Sequence, residues 1–325
     1  MPSRTIVEAV NDALGVALSE DDRVLVLGED VGRNGGVFRA TDGLFERFGA
    51  ERVVDTPLSE AGIIGTSVGL AMYGLRPVAE IQFLGFSLEA FSQLLAQAAR
   101  VRWRSAGRYT CPLVVRAPFG VGVRAPELHS DALEAHFVHT PGIKVVAPSN
   151  PYDTKGLLLA AIDDPDPVLV VEPLRGYRTV RGEVPEGRYT VPLGQAGVLR
   201  EGRDVTIISW SQSVHVSMAA AEALAGEGIE AEVIDLRTLS PFDADTIVSS
   251  VQKTGRAVVV HEAPKTGGLG AEIVATINER ALLSLEAPVA RVTAFDTHLP
   301  TALLEDHYIP TPARVATAVR ATVHF

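Results

Sequence analysis

The chain has 325 residues, 46% of them hydrophobic and 21% charged, with a formal net charge of −11 and one cysteine. This length fits about two domains, and no apolar run approaches the roughly 20 residues a membrane span needs. So acidic a chain is poorly suited to nucleic acid, which is gripped by clustered Lys and Arg, and better suited to a basic protein partner.

The opening residues, 1–10, lack the apolar core of a secretory signal, and Glu8 and Asp12 argue against a transit peptide, so a cytoplasmic protein is expected. Short β-branched runs at 23–27, 77–83, 112–116, 143–147 and 167–172 alternate with longer helical patterns, which predicts a parallel sheet with helical crossovers. Cys111 has no second cysteine to pair with and is expected in the core beside the strand 112–116. Leu88, Phe91, Leu94, Leu95 and Ala98 recur near a 3.6 period and predict a helix over 86–103. From 172 to about 193 the pattern gives way to Pro, Gly and charge, which reads as a linker. A second α/β series follows, with strands at 204–210, 232–235, 256–260 and 289–292 and helices at 214–226 and 244–254. The fold class is therefore α/β in two domains, divided as 1–185 and 186–325.

Two places carry candidate chemistry. Glu60 follows a short apolar strand and precedes the Gly-rich run 61–69, where open α/β sheets place ligands, although Ser59 and Glu60 also suit a helix cap. His129, His136 and His139 cluster after the strand 112–116, and His129 lies in a loop able to reach the same crevice as an acid or base; a structural histidine is the alternative. The spacing of His136 and His139 suits zinc, but Glu127 and Asp131 are ordinary loop acids and a catalytic metal is not expected there. No Gly-x-x-x-x-Gly-Lys-Ser/Thr loop and no complete Gly-x-Gly-x-x-Gly fingerprint is present, which disfavours kinases, ATPases and nicotinamide dehydrogenases.

The motifs Gly28-Glu29-Asp30, Asp55-Thr56-Pro57-Leu58-Ser59-Glu60, Arg76-Pro77-Val78-Ala79-Glu80, Pro126-Glu127-Leu128-His129-Ser130-Asp131 and Asp235-Leu236-Arg237-Thr238-Leu239, with others in order along the whole chain, resemble one family. It is that of the beta subunits of the thiamine-diphosphate-dependent decarboxylase component of 2-oxo acid dehydrogenase complexes, nearest the bacterial pyruvate dehydrogenase type. The resemblance implies an N-terminal pyrimidine-binding parallel-sheet domain and a transketolase C-terminal-like domain. It implies that Glu60 faces the pyrimidine nitrogen of the cofactor, that Leu58, Gln82 and Phe86 line the same pocket, and that Glu29 extends the proton path. His129 matches the proton donor for acyl transfer to a lipoyl disulfide, a role that suits histidine as a class. A potassium site is implied at Leu113, Ala161, Ile162, Asp164 and Asp166, with Asp166 standing where relatives often have Asn.

The family's diphosphate and magnesium anchor, Gly-Asp-Gly followed by an Asn pair, is missing: Asn11, Asn34, Asn150 and Asn278 are never adjacent. An alpha subunit is therefore expected to hold magnesium and the diphosphate, in an assembly of two alpha and two beta chains. The dihydrolipoyl acyltransferase is the further partner, through its lipoyl domain and a basic peripheral-subunit-binding domain that the Phe325 carboxylate would meet. Gly85, Glu127 and Leu128 depart from branched-chain relatives and favour pyruvate as the 2-oxo acid, with 2-oxoisovalerate and acetoin as alternatives.

Overall fold

The computed structural model describes residues 1–300 and 304–325. The chain divides into two compact units, 1–123 with 128–193, and 124–127 with 194–325.

Within the first unit, six parallel strands run in the spatial order Lys144–Val146, Val168–Pro173, Val114–Phe119, Arg76–Glu80, Val24–Gly28, Val53–Asp55. Strands Val24–Gly28 and Val168–Pro173 are buried along their whole length, as in a sheet covered on both faces. The helix Ile6–Glu20 starts from a capping box: the Glu8 carboxylate accepts from the Thr5 N–H at 2.6 Å, and the Thr5 hydroxyl accepts from the Glu8 N–H at 3.3 Å. Leu14 and Leu18 of that helix share one core with Leu157 and Leu158 of the helix Pro151–Asp163. Asn150 caps the latter by accepting from the Asp153 N–H at 2.9 Å, and Pro151 takes the first position, where no N–H is needed. Cys111 is buried as expected.

Two expectations are corrected. The helix predicted over 86–103 is a broken series: tight turns at Leu84–Ala90, a wide turn at Ser92–Gln97, a tight turn at Ala98–Arg100 and one α turn at Val101–Arg104. The ladder breaks where other backbone closes in. The Leu128 carbonyl lies where a Cβ on Gly85 would sit 2.0 Å away, and the Ala99 carbonyl lies 2.1 Å from where one on Gly142 would be. Interruptions of this kind re-aim side chains at functional sites.

The stretch read as a linker is a strap of the first unit. Arg181–Glu183 pairs antiparallel with Ser3–Thr5, the Val191 N–H donates to the Gly156 carbonyl at 3.1 Å, and Tyr189 stacks on Tyr152 at 4.7 Å. The buried Lys155 ammonium fastens it further, donating to the Pro185 carbonyl and to Asp12, each at 2.7 Å. Its Pro and Gly content reflects the turns of a strap and not freedom from packing.

The second unit has a five-stranded sheet in the order Ala290–Ala294, Ala257–Pro264, Val205–Ser209, Ala231–Asp235, Gly197–Arg200, with only the last strand antiparallel. Helices Gln212–Ala225 and Ala244–Thr254 agree with the periodicity, and Gly270–Ala281 and Pro312–Val323 add two that the sequence reading did not name. Asp243 caps the second of these four by accepting from the Thr246 N–H at 3.0 Å, and Gly255 ends it in the left-handed conformation.

Candidate active site

Four neighbouring strands of the first unit deliver the candidate residues at their carboxyl ends. Glu29 follows Val24–Gly28, Leu58 and Glu60 follow Val53–Asp55, Gln82 and Phe86 follow Arg76–Glu80, and His129 lies beyond Val114–Phe119. This edge is where parallel α/β sheets hold ligands.

Glu60 is the first residue of the helix Glu60–Met72, and the capping duty is not its own: the Ser59 hydroxyl accepts from the Gly62 N–H at 3.2 Å. The half-buried Glu60 is thus free for other work. Burial pushes the Glu29 carboxyl up, and the charges of Asp30 and Glu60 push it the same way. The loop that carries Glu29 is tied to the Glu60 side by Asp55, whose carboxylate accepts from the N–H groups of Gly32 at 2.6 Å and Arg33 at 3.2 Å. The Thr56 N–H donates to the Gly28 carbonyl at 2.9 Å and closes the same junction. Leu58 is 71% exposed.

His129 sits among rings. Its imidazole meets Phe83 edge-on at 4.7 Å and Phe86 at 5.0 Å, while Phe83 and Phe86 meet at 5.5 Å. The Nδ1 atom of His129 is buried with no hydrogen-bond partner among the described residues, and the Leu128 carbonyl packs on the bare face of Gly85. His136 stands apart, against Phe91 at 6.2 Å. The structure thus gathers His129, Phe86 and the neighbourhood of Gln82 in one cluster, and Glu29 with Glu60 in another.

The candidate cation ligands lie at the opposite, amino-terminal edge of the sheet. The Leu113 carbonyl accepts from the Val168 N–H at 2.9 Å, the Ala161 carbonyl from the Asp164 N–H at 3.3 Å, and the Ile162 carbonyl from Arg76 Nη1 at 2.5 Å. Each oxygen keeps a second lone pair. Asp164 already accepts from Lys144 Nζ at 2.8 Å and Asp166 from Arg102 Nε at 2.7 Å, so carbonyl oxygens are the better donors for a large monovalent ion.

One constellation escaped the sequence reading. Arg116, Glu80, Glu172 and Tyr177 form a buried cluster in the middle of the sheet. Burial works against the Arg116 charge, but Glu172 and Glu80 outweigh it and hold the guanidinium charged; burial pushes Glu80 up. A signal was available in Glu80, Arg116 and Glu172, each a charged residue next to apolar residues of its strand.

This fold and edge define a two-domain protein of the transketolase type. Residues 3–179 match the transketolase pyrimidine binding domain and residues 194–315 the transketolase C-terminal domain. A split-gene transketolase solved as an inactive beta4 tetramer superposes with a TM-score of 0.82 at 25% identity, over 98% of each chain. Transketolase from Pichia stipitis shares the fold, with a TM-score of 0.73 at 16% identity; it covers all of this chain but only 46% of that one. The pyruvate dehydrogenase E1 component subunit beta of Bacillus subtilis (strain 168) is 54% identical over the full length of both chains, and that of Staphylococcus aureus (strain MW2) 52%. The chain belongs to the family of pyruvate dehydrogenase E1 beta subunits.

Proposed function

We propose that this chain is the beta subunit of a thiamine-diphosphate-dependent pyruvate dehydrogenase, active only when paired with an alpha subunit. The observation that carries the reading is the 54% identity with the Bacillus subtilis subunit over every residue of both chains. When bound, thiamine diphosphate supplies the nucleophilic carbon and the electron sink that a 2-oxo acid needs to lose carbon dioxide.

The residues present fit that cofactor. Glu60, spared from capping, offers a half-buried carboxylate to hold a proton against the pyrimidine nitrogen, with Glu29 beside it. The half-buried Phe86 ring offers a flat apolar wall, and Leu58 and Gln82 stand at the ends of the flanking strands. His129, set among aromatic rings with its Nδ1 unpartnered among the described residues, donates the proton to the lipoyl sulfur as the acyl group passes to the acyltransferase. The chain lacks the Gly-Asp-Gly and Asn-pair anchor, which assigns magnesium and the diphosphate to the alpha subunit in an assembly of two alpha and two beta chains. Potassium is assigned to the carbonyl oxygens of Leu113, Ala161 and Ile162 with Asp164 and Asp166, as a brace at the far edge of the sheet. Among the described residues no helix is long and apolar enough to cross a membrane, which is compatible with a cytoplasmic site of action.

Coexpression with an alpha subunit, followed by decarboxylation and lipoyl acylation assays on pyruvate and 3-methyl-2-oxobutanoate, tests the reading. Pyruvate is expected to be turned over at least about tenfold faster, one good pocket contact's worth of discrimination. Equal rates would overturn the substrate assignment. In the same assembly Glu60→Gln is expected to abolish both half-reactions, whereas His129→Ala slows acylation by about 10²-fold and leaves decarboxylation with a dye oxidant. Full activity of Glu60→Gln would overturn its role.

A further inference from the structure

Arg116 lies in the middle of the strand Val114–Phe119 and is 1% exposed. Its guanidinium forks onto Glu172, with Nε to Oε1 at 2.8 Å and Nη2 to Oε2 at 2.7 Å. It also donates through Nη1 to Glu80, and through Nη2 to the Tyr177 hydroxyl at 3.2 Å; that hydroxyl donates in turn to Glu172. Glu80, Arg116 and Glu172 belong to three adjacent strands in register, Glu80 opposite Arg116 and Glu172 opposite Pro118. One side chain thus ties three adjacent strands together through charge-assisted bonds whose geometry is fixed by the planar fork.

The carboxyl ends of those three strands point toward the candidate site. The Tyr177 ring meets Phe38 edge-on at 5.6 Å, Phe38 meets Phe83 at 5.3 Å, and Phe83 meets His129 at 4.7 Å. Glu80 Oε1 faces the loop bearing Phe38, 3.5 Å from where a Cβ on Gly36 would be. Since His129 Nδ1 has no hydrogen-bond partner among the described residues, the contacts that set the angle of the imidazole there are the rings of Phe83 and Phe86. Phe83 in turn rests on Phe38, and Phe38 on the tyrosine that Arg116 and Glu172 hold.

We propose that Arg116, acting through Glu172 and Tyr177 and the rings of Phe38 and Phe83, is the positioning residue that sets the angle of His129 for proton delivery. It touches none of the reacting atoms. The inference rests on the acyl-transfer role given to His129 above.

The test uses the reconstituted alpha–beta assembly and three variants. Tyr177→Phe removes one hydroxyl and keeps the ring, Arg116→Lys removes the fork, and Phe83→Leu cuts the ring path while leaving the charge cluster whole. The expected signature is a fall of about tenfold or more in kcat for lipoyl acylation. Dye-coupled decarboxylation and the KM for pyruvate should change by less than about threefold. The rate of diethyl pyrocarbonate modification at His129, read by peptide mass spectrometry, should change in the same variants and report the ring without reference to turnover. The double variant Tyr177→Phe with Phe83→Leu should be no worse than the poorer single, because both cut one path.

Wild-type acylation and wild-type His129 reactivity in Tyr177→Phe would overturn the proposal. So would equal losses in both half-reactions that track a lowered Tm, since that marks a loosened sheet. If Arg116→Lys does not assemble, Tyr177→Phe and Phe83→Leu decide the matter. A wild-type assembly that never acylates lipoyl groups sinks the proposed function, and the His129 reactivity of the variants still reads out the positioning.

Discussion

His261 lies on the Trp210 ring, with centroids 5.1 Å apart and planes 11° from parallel, within the buried strand Ala257–Pro264 of the second unit. Burial pushes its imidazole down to about 4, the Arg291 charge adds to this, and the Ala263 backbone offsets part of it. Above the ordinary value of 6.5 the ring is neutral in folded and unfolded chains alike and makes no pH-dependent contribution. As pH falls through 6.5 the unfolded chain takes up a proton that the folded chain refuses until about 4, so stability drains away across that window. The loss amounts to about 3 kcal/mol by pH 4. Urea unfolding at pH 7 and pH 4.5 should show a steeper loss in the wild type than in His261→Phe, which keeps a ring on Trp210. Parallel losses in the two would remove His261 from the account. At this scale the sequence reading was uneven. Glu60 and His129 stood out only through the motifs around them, because position alone allowed a helix cap and a core histidine. Nothing in the spacing of Glu80, Arg116 and Glu172 says that strand order brings them side by side.

Elements were legible where a single period governs them and illegible where contacts from distant backbone override it. The helix Ala244–Thr254 followed from its pattern because its apolar stripe and its caps, Asp243 and Gly255, agree. The region 86–103 kept a helical apolar period but broke into tight and wide turns, because Gly85 and Gly142 admit the carbonyls of Leu128 and Ala99 at distances no side chain tolerates. The first of these contacts supports the tight turn Glu127–His129. Gly85→Ala is therefore expected to push that turn outward. A methyl 2.0 Å from the Leu128 carbonyl cannot be absorbed by a flexible side chain, so backbone must move. Displacement of His129 by even an ångström should slow lipoyl acylation by about 10²-fold, whereas the strand core, untouched by the change, should limit the loss in stability to about 1–3 kcal/mol. Hydrogen exchange over 127–131, compared between the two chains, checks the displacement directly. Unchanged exchange with unchanged acylation would show that the turn accommodates the methyl.

For the whole molecule, alternating strands and helices announced two α/β units, since crossovers leave periodic marks in sequence that strand order does not. The spatial order of the sheets, and the strap that binds 173–193 to the first unit, depend on long-range pairing and left no such mark. What the sequence did record, on the function proposed above, is half a site: the Glu60 carboxylate for the pyrimidine ring, without the Gly-Asp-Gly and Asn-pair motif for a diphosphate. The surface agrees with that reading at one residue. Leu58, two positions before Glu60, is 71% exposed on an edge whose other candidates are half-buried, a large apolar side chain that a partner chain seated on this edge would cover. If the alpha subunit is that cover, Leu58→Asp should leave the stability of the full beta chain within about 0.5 kcal/mol, because an exposed side chain has few contacts to lose. The same change should weaken association with the alpha subunit by about 10- to 100-fold, since a charge must then be desolvated at a packed interface. Titration calorimetry of the two chains measures both the affinity and its loss. An unchanged affinity would place the alpha subunit elsewhere, and the half of the site that holds the diphosphate would have to be sought on another face.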